Sequence, residues 1–384
     1  MKILQVHNTY IGKTGEEAVV EEERQVLEQN GHRVIQFIKN NSDFESYSKF
    51  ERLKAYTKLK SSNIIAAELT SLIRDEKPDI CHVHNTFPLI TPVVYKVCKS
   101  NNLPVVKTLH NYKLICTNSL LFTEGKVCEK CLNKSLYNSI KYKCYRNSYL
   151  ATAVQANVIQ HHRSKGTWHH LIDQYICLTE FQKKKILSGN GIPKDKAVVK
   201  PNFISEPNTE ILREDFFLFV GRVHDSKGLQ DLLTLFQSST SSNFVVIGKS
   251  DDVTVFDGLN NVKYLGEQER LVVLEYMQRC KAVIFPSIYY EGMPIVILEA
   301  FSHKKLVVSR DTGAMSSMII DGYNGLKYDD SETLVQVVAE LQRFPELART
   351  LGQNAFEDFR RKYSIEKGYK NLMKVYNGLL KLNA

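Results

Sequence analysis

The chain is 384 residues long, and at about 100–200 residues per domain that length predicts two domains rather than one packed core. Hydrophobic residues make up 43% and charged residues 24%, a globular balance that excludes wholesale disorder, collagen and a disulfide miniprotein. The net charge of +9 is uneven, with +12 in residues 1–200 and −3 in residues 201–384. A basic first half suits nucleic acid, an anionic membrane surface or a phosphorylated substrate, and equally a solvated lysine-rich face.

In chain order, an apolar run at 3–6 reads as a strand, then a Gly-containing loop, then a helix at 18–27 with apolar residues at helical spacing among glutamates. Gly31 closes that helix, 33–38 reads as a strand, 63–74 as an amphipathic helix, and 79–84 as a buried strand launched by Pro78. A helix at 91–99 and a strand at 105–109 repeat the unit. The alternation predicts an α/β fold with a parallel sheet, whose binding crevice lies at the carboxyl ends of the strands. His7, His84 and His110 all fall at such ends, which favours a shared site over three separate structural histidines.

The pattern restarts after a Pro- and Asn-bearing stretch at 200–208, with strands expected at 217–220, 244–247, 262–265, 282–285 and 306–309. The division predicted is a first domain at 1–200 with an insertion at 111–147, a second at 201–363, and a terminal helix at 364–384. That helix places Tyr369, Leu372, Val375, Tyr376 and Leu379 on one face. No apolar stretch approaches the roughly 18 residues of a membrane-spanning helix, and the first ten residues do not read as a secretion signal, so a cytoplasmic location is expected.

Gly12, Lys13 and Thr14 suggest a phosphate-binding P-loop, but that motif needs a glycine at position 7, where His stands. The dinucleotide fingerprint follows neither domain's first strand. After 217–220 comes Gly221-Arg222-Val223-His224-Asp225-Ser226-Lys227-Gly228, a strand-end loop whose two cations can grip a diphosphate. Its partner motif is Glu291-Gly292-Met293-Pro294-Ile295, with Glu299 eight positions after Glu291. Pro294 is expected in the first turn of a helix, so the backbone N–H groups of Gly292, Met293 and Ile295 would mark an anion site. Glu299 lies among apolar neighbours, where an ionised carboxylate is costly unless bonded. Carboxylates flanking an anion-binding turn suit a ligand with both phosphates and hydroxyls, as in a nucleotide sugar.

The E-x7-E of Glu291 and Glu299, the Arg222/Lys227 loop and His110 together resemble the retaining glycosyltransferases of family 4, which have the GT-B fold. The resemblance spans nearly the whole chain. It implies two Rossmann-like, doubly wound domains facing a cleft, with a nucleotide-sugar donor held by the second and the acceptor by the first. By that resemblance Arg222 and Lys227 bind the diphosphate, and Glu299 binds the ribose hydroxyls. Glu291 with the backbone of Gly292, Met293, Pro294 and Ile295 binds the donor sugar and phosphate, His110 stands at the reaction centre, and the loop around Gly15 closes over the diphosphate. The terminal helix is expected to cross back to the first domain. The donor implied is a UDP-sugar, the acceptor a glycan or polyprenyl-linked glycan in cell-surface polysaccharide assembly, and no cofactor is required for catalysis. The chain departs from the family in keeping one glycine, Gly15, where relatives have a pair, and in Thr312-Gly313-Ala314-Met315 where they have Gly-Gly and an acid.

The insertion holds Cys116, Cys128, Cys131 and Cys144 in a C-x11-C-x2-C-x12-C spacing. Four thiolates so spaced suit a structural zinc site, and four ordinary thiols in a lysine-rich loop remain the competing reading. A similar cysteine loop, with an HNTFP-like segment as in His84-Asn85-Thr86-Phe87-Pro88, is familiar in a bacterial subgroup of these transferases. Cys81, Cys98, Cys177 and Cys280 read as core residues. Lys183, Lys184, Lys185 and the segment 49–60 supply much of the positive charge, which suits peripheral contact with the inner face of the cell membrane. The rival readings are a GT-B nucleotide-sugar 2-epimerase and a zinc-containing nucleic-acid-binding protein. The second is disfavoured because Glu291 and Glu299 would repel a phosphate backbone.

Overall fold

A computed structural model describes residues 1–10, 15–42, 59–189, 191–207 and 214–382. The Gly12-Lys13-Thr14 tripeptide and most of the basic 49–60 segment lie outside the described residues. The chain divides into two units, one of residues 1–121, 128–202 and 368–384, the other of 122–127 and 203–367.

The first unit is built on strands β1 (Lys2–Thr9), β2 (Arg33–Asn40), β3 (Ile80–Val83) and β4 (Val105–Leu109). Between these and the rest of its sheet comes an antiparallel hairpin, β5 (Phe122–Thr123) with β6 (Lys126–Val127), assigned to the second unit. Strands β7 (Gln174–Cys177) and β8 (Ala197–Val199) complete a six-stranded sheet in the order β2-β1-β3-β4-β7-β8. Every pairing in it is parallel, so each connection must cross over, and helices supply the crossovers. Their ends follow local chemistry. Ser62 caps the helix Asn63–Glu76 by accepting from the Ile65 N–H, and Thr179 caps Glu180–Ser188 through the Gln182 N–H.

Every residue of β3 and β4 is buried, His82, Lys107 and Thr108 included, as a parallel sheet covered on both faces requires. One face packs Ile3, Ile80, Val106 and Ile176 against Leu372, Tyr376 and Leu379 of the terminal helix Ile365–Leu382. Each such fully buried side chain contributes about 1.5–3 kcal/mol relative to exposure. The expected apolar stripe of that helix is thus the surface it buries. Cys81, Cys98, Cys177 and Cys280 are fully buried.

The second unit carries β9 (Phe217–Val220), β10 (Phe244–Ile247), β11 (Val262–Tyr264), β12 (Ala282–Phe285), β13 (Leu306–Arg310) and β14 (Gly325–Tyr328). They form a parallel sheet in the order β11-β10-β9-β12-β13-β14. Both sheet orders reverse direction beside the unit's first strand, the topological point where doubly wound sheets open a crevice at their carboxyl ends. No helix among the described residues is long and apolar enough to cross a membrane.

Candidate functional site

In the second unit, β9 and β12 are neighbours, so the loops leaving their carboxyl ends meet. Gly228, at φ +78°, makes that meeting possible, because a Cβ there would stand 2.1 Å from the carbonyl oxygen of Pro286. The loops are tied by the Ile288 N–H donating to Ser226 O at 3.1 Å. Lys227 Nζ lies 2.6 Å from Glu291 Oε1. Ser287 Oγ donates to the same oxygen at 2.8 Å, and Tyr289 OH to Oε2 at 2.7 Å. Burial works to lower the proton affinity of Lys227, but the facing Glu291 carboxylate outweighs it and holds the ammonium well above its ordinary value. Burial, then Glu291, likewise keeps the Tyr289 phenol protonated. Arg222 is exposed on the same loop.

The next helix, Ile295–Ser302, begins one residue beyond the expected place. Pro294 is its capping residue, in an extended conformation at φ −69° and ψ 122°, rather than part of its first turn. Gly292 and Met293 are buried just before it, and Ile295 opens it half-buried. Glu299 lies inside the helix at 6% exposure. Burial raises its carboxyl, and Arg270, whose Nε is 3.2 Å from Glu299 Oε1, works against that rise. Arg270 opens the helix Arg270–Arg279, and nothing in its local sequence marks it as the partner of a glutamate 29 residues on. The result is a cationic lysine, an exposed arginine, two bonded carboxylates and a helix entrance around the carboxyl end of one sheet.

The first unit brings its strand-end histidines together. In register, Val6 pairs with Val83 and Val83 with Lys107, so His7 on β1 and the residues just past β3 and β4, His84 and His110, stand side by side. His84 Nδ1 is 3.0 Å from His110 Nε2, and the His7 and His84 ring centroids are 6.3 Å apart. A narrow cavity of about 30 Å³, room for a single water, is lined by Glu16, His84, Lys107, His110 and Lys113 among others. Burial raises the Glu16 carboxyl to about 7 against the opposing influence of His7, and lowers Lys107 and Lys113 to about 8. Gly15 is exposed at the start of the helix Gly15–Gln29. Asn85, in the HNTFP-like segment, ties β3 to β1 by donating to Asn8 O at 2.7 Å.

Among the described residues, one group of metal-capable side chains has its ligand atoms within 4.8 Å of one another: Glu23, His82 and His84. Its charge is already met by Lys200, whose ammonium donates to Glu23 Oε1, and both His82 nitrogens are engaged, by Tyr376 OH and Thr108 Oγ1 at 2.7 Å each. Cys116, Cys128, Cys131 and Cys144 share a neighbourhood, because burial and then the other three thiols push Cys131 up to about 12. No three of them fall within 4.8 Å of one another, so the loop is not drawn to the spacing of a tetrahedral zinc site.

Two family descriptions match the chain. Glycosyltransferase Family 4 covers residues 14–206, half of the chain, and Glycosyl transferases group 1 covers 202–358. An uncharacterized glycosyltransferase of Methanocaldococcus jannaschii is 30% identical over 219 residues, 54% of this chain and 60% of the relative. A Campylobacter jejuni N,N'-diacetylbacillosaminyl-diphospho-undecaprenol alpha-1,3-N-acetylgalactosaminyltransferase is 28% identical over 185 residues, 45% of this chain and 47% of the relative. The chain therefore spans 60% and 47% of the length of these two relatives. In three dimensions it is similar to Anabaena HepE, solved in complex with UDP-glucose, at a TM-score of 0.66 and 15% identity, covering 98% of this chain and all of that one. The chain belongs to the family 4 glycosyltransferases, and its fold is GT-B, two Rossmann-like α/β domains.

Proposed function

We propose that the protein transfers a sugar from a nucleoside diphosphate donor, a UDP-sugar, to a glycan or polyprenyl-linked acceptor in cell-surface polysaccharide assembly, with retention at the anomeric carbon. The observation that carries this reading is the Lys227–Glu291 pair, fixed by Ser287 and Tyr289 beside the entrance to the helix that holds Glu299. Lys227 and Arg222 take the diphosphate, and Glu299 accepts from the ribose hydroxyls. Glu291 and the backbone of Gly292, Met293, Pro294 and Ile295 hold the donor sugar and its phosphate, with Gly15 serving the diphosphate from the first unit and His110 acting at the reaction centre. The catalytic contribution is electrostatic. As the bond from the anomeric carbon to the diphosphate breaks, the leaving group keeps the electron pair, and fixed cations stabilise the charge that grows there. The acceptor hydroxyl bonds to the anomeric carbon on the same face and gives its proton to the leaving phosphate oxygen. Glu291, already bonded to Lys227, Ser287 and Tyr289, serves as an acceptor of hydrogen bonds rather than as a nucleophile.

Support for the donor comes from the UDP-glucose bound by HepE, and for a polyprenyl-linked acceptor from the name of the Campylobacter relative. The epimerase alternative gains nothing from these relatives. Peripheral membrane contact belongs to the proposal on the +12 charge of residues 1–200, and a zinc ion on the four thiols rests on their all-sulfur donor set. The test is titration and turnover with a panel of nucleotide sugars. Lys227→Ala and Arg222→Ala should each lower kcat by about 100-fold or more, and Glu299→Gln should weaken UDP binding about 10- to 100-fold, the scale of a charged hydrogen bond. Wild-type turnover and affinity in all three variants would remove the donor-site assignment.

A further inference from the structure

The strand-end histidines are joined in series to a buried ion pair. Lys200 and Glu23 are each 1% exposed and bonded through Glu23 Oε1. The other carboxylate oxygen, Glu23 Oε2, lies 3.5 Å from His84 Nε2, and His84 Nδ1 lies 3.0 Å from His110 Nε2. The two imidazoles stack, with centroids 5.3 Å apart and planes inclined by 26°. Glu23 Oε2 and His84 Nε2 are both buried without a hydrogen bond of their own, and their 3.5 Å approach makes each a polar group that can answer the other. Neighbouring His82 does not interrupt the series, since Tyr376 and Thr108 engage its two nitrogens.

The polarity of such a chain is fixed from its charged end. An ammonium only donates, an ionised carboxylate only accepts, and a neutral imidazole has one N–H and one bare nitrogen. Burial first, and then the surrounding histidines and lysines, hold His84 and His110 well below their ordinary range, so each ring carries a single proton at neutral pH. Beginning at Lys200, His84 must place its proton on Nε2 toward Glu23. Its Nδ1 then accepts, and His110 must donate from Nε2.

We propose that Glu23, anchored by Lys200, is a positioning residue that acts through His84 to hold His110 in the Nε2-protonated tautomer, leaving His110 Nδ1 to accept a hydrogen bond from a sugar hydroxyl. This rests on the reading of His110 as a group at the reaction centre. A carboxylate is essential to the arrangement, and its amide isostere reverses it. In Glu23→Gln, Lys200 still donates to the side-chain oxygen, so the amide NH2 faces His84 Nε2. The His84 proton moves to Nδ1, His110 Nε2 becomes the acceptor, and His110 Nδ1 acquires the proton.

The experiment is long-range 1H–15N spectroscopy of the imidazole rings in the full chain labelled with 15N-histidine, with His110 assigned by the signals lost in His110→Asn. The wild type should show His110 Nε2 pyrrole-like and Nδ1 pyridine-like, and Glu23→Gln should exchange the two. The same variant should lower kcat about tenfold or more with the donor KM unchanged, since one hydrogen bond at the reaction centre is misdirected. A wild-type His110 protonated on Nδ1 overturns the proposal without any variant having to fold, as does a Glu23→Gln spectrum with the His110 assignment unchanged. Failure of nucleotide binding in titrations of the wild type would defeat the donor reading while leaving the ring-proton result intact, so the two failures are separable.

Discussion

Replacing Lys200 with Met removes the ammonium from a carboxylate that water cannot reach, since both partners of the Lys200–Glu23 pair are 1% exposed. Breaking one side of a buried ion pair costs about 3–5 kcal/mol, because the charge left behind keeps its desolvation penalty and loses its counterion. The remaining neighbours of Glu23 Oε2, His82 Nδ1 and His84 Nε2 at 3.5 Å each, belong to rings that burial holds neutral, so they replace little of that charge. Trp168 is the single tryptophan of the chain, is 1% exposed and lies in the same unit as the pair, so its fluorescence during urea unfolding reports on that unit. With a urea slope of about 2 kcal/mol/M, the loss corresponds to a midpoint lowered by about 1.5–2.5 M. The double variant Lys200→Met/Glu23→Gln removes both charges at nearly constant volume, and should recover most of that loss. Single variants whose midpoints move by only a few tenths of a molar, or a double variant no better than Lys200→Met, would refute the buried-pair account.

Glu16 gives a pH-dependent prediction. Its carboxyl is raised from the ordinary 4.5 to about 7 by burial, so between those values the folded state keeps a proton that the unfolded chain releases, and stability falls as pH rises. The whole window is worth about 3 kcal/mol. Glu16→Gln should therefore gain stability relative to wild type between pH 5 and 7, read from paired urea midpoints, and parallel curves would show that Glu16 does not hold that proton. For the cysteine loop, zinc held in a site that closes around the ion would copurify at one equivalent, by elemental analysis, in protein prepared without metal-affinity resin, and would be lost in Cys128→Ser. Metal-free protein with full activity would leave Cys116, Cys128, Cys131 and Cys144 as ordinary thiols.

The parts of the fold legible in the sequence were those carried by local pattern. Runs such as Phe217–Val220 and Ala282–Phe285 are apolar at every position because they are covered on both faces. Strands β7, β8 and β14 left no comparable mark. The Ala197–Val199 strand is three residues long at a sheet edge, and Gly325–Tyr328 mixes glycine and lysine with its apolar residues. The donor-side carboxylates were readable for the same local reason, standing eight positions apart around a proline and a glycine. Glu23 was not, because on an acid-rich helix it looks like any solvent-facing glutamate, and its lysine partner is 177 positions away. Only the sheet order β1-β3-β4 makes His84 and His110 neighbours of each other and of that helix.

The first unit takes in residues 368–384 as well as its N-terminal portions, and Leu372, Tyr376 and Leu379 complete its apolar core. On the ribosome this reverses the usual order of completion. The first unit's sheet strands emerge early, but their covering helix follows only after residues 203–367 have been made, a delay of roughly ten to thirty seconds at about 5–20 residues per second. The second unit, apart from the hairpin 122–127, is one continuous stretch and is complete before the first can close. During that interval the nascent chain presents the unsealed face of Ile3, Ile80, Val106 and Ile176, a surface that chaperones would have to shield until Leu372, Tyr376 and Leu379 arrive.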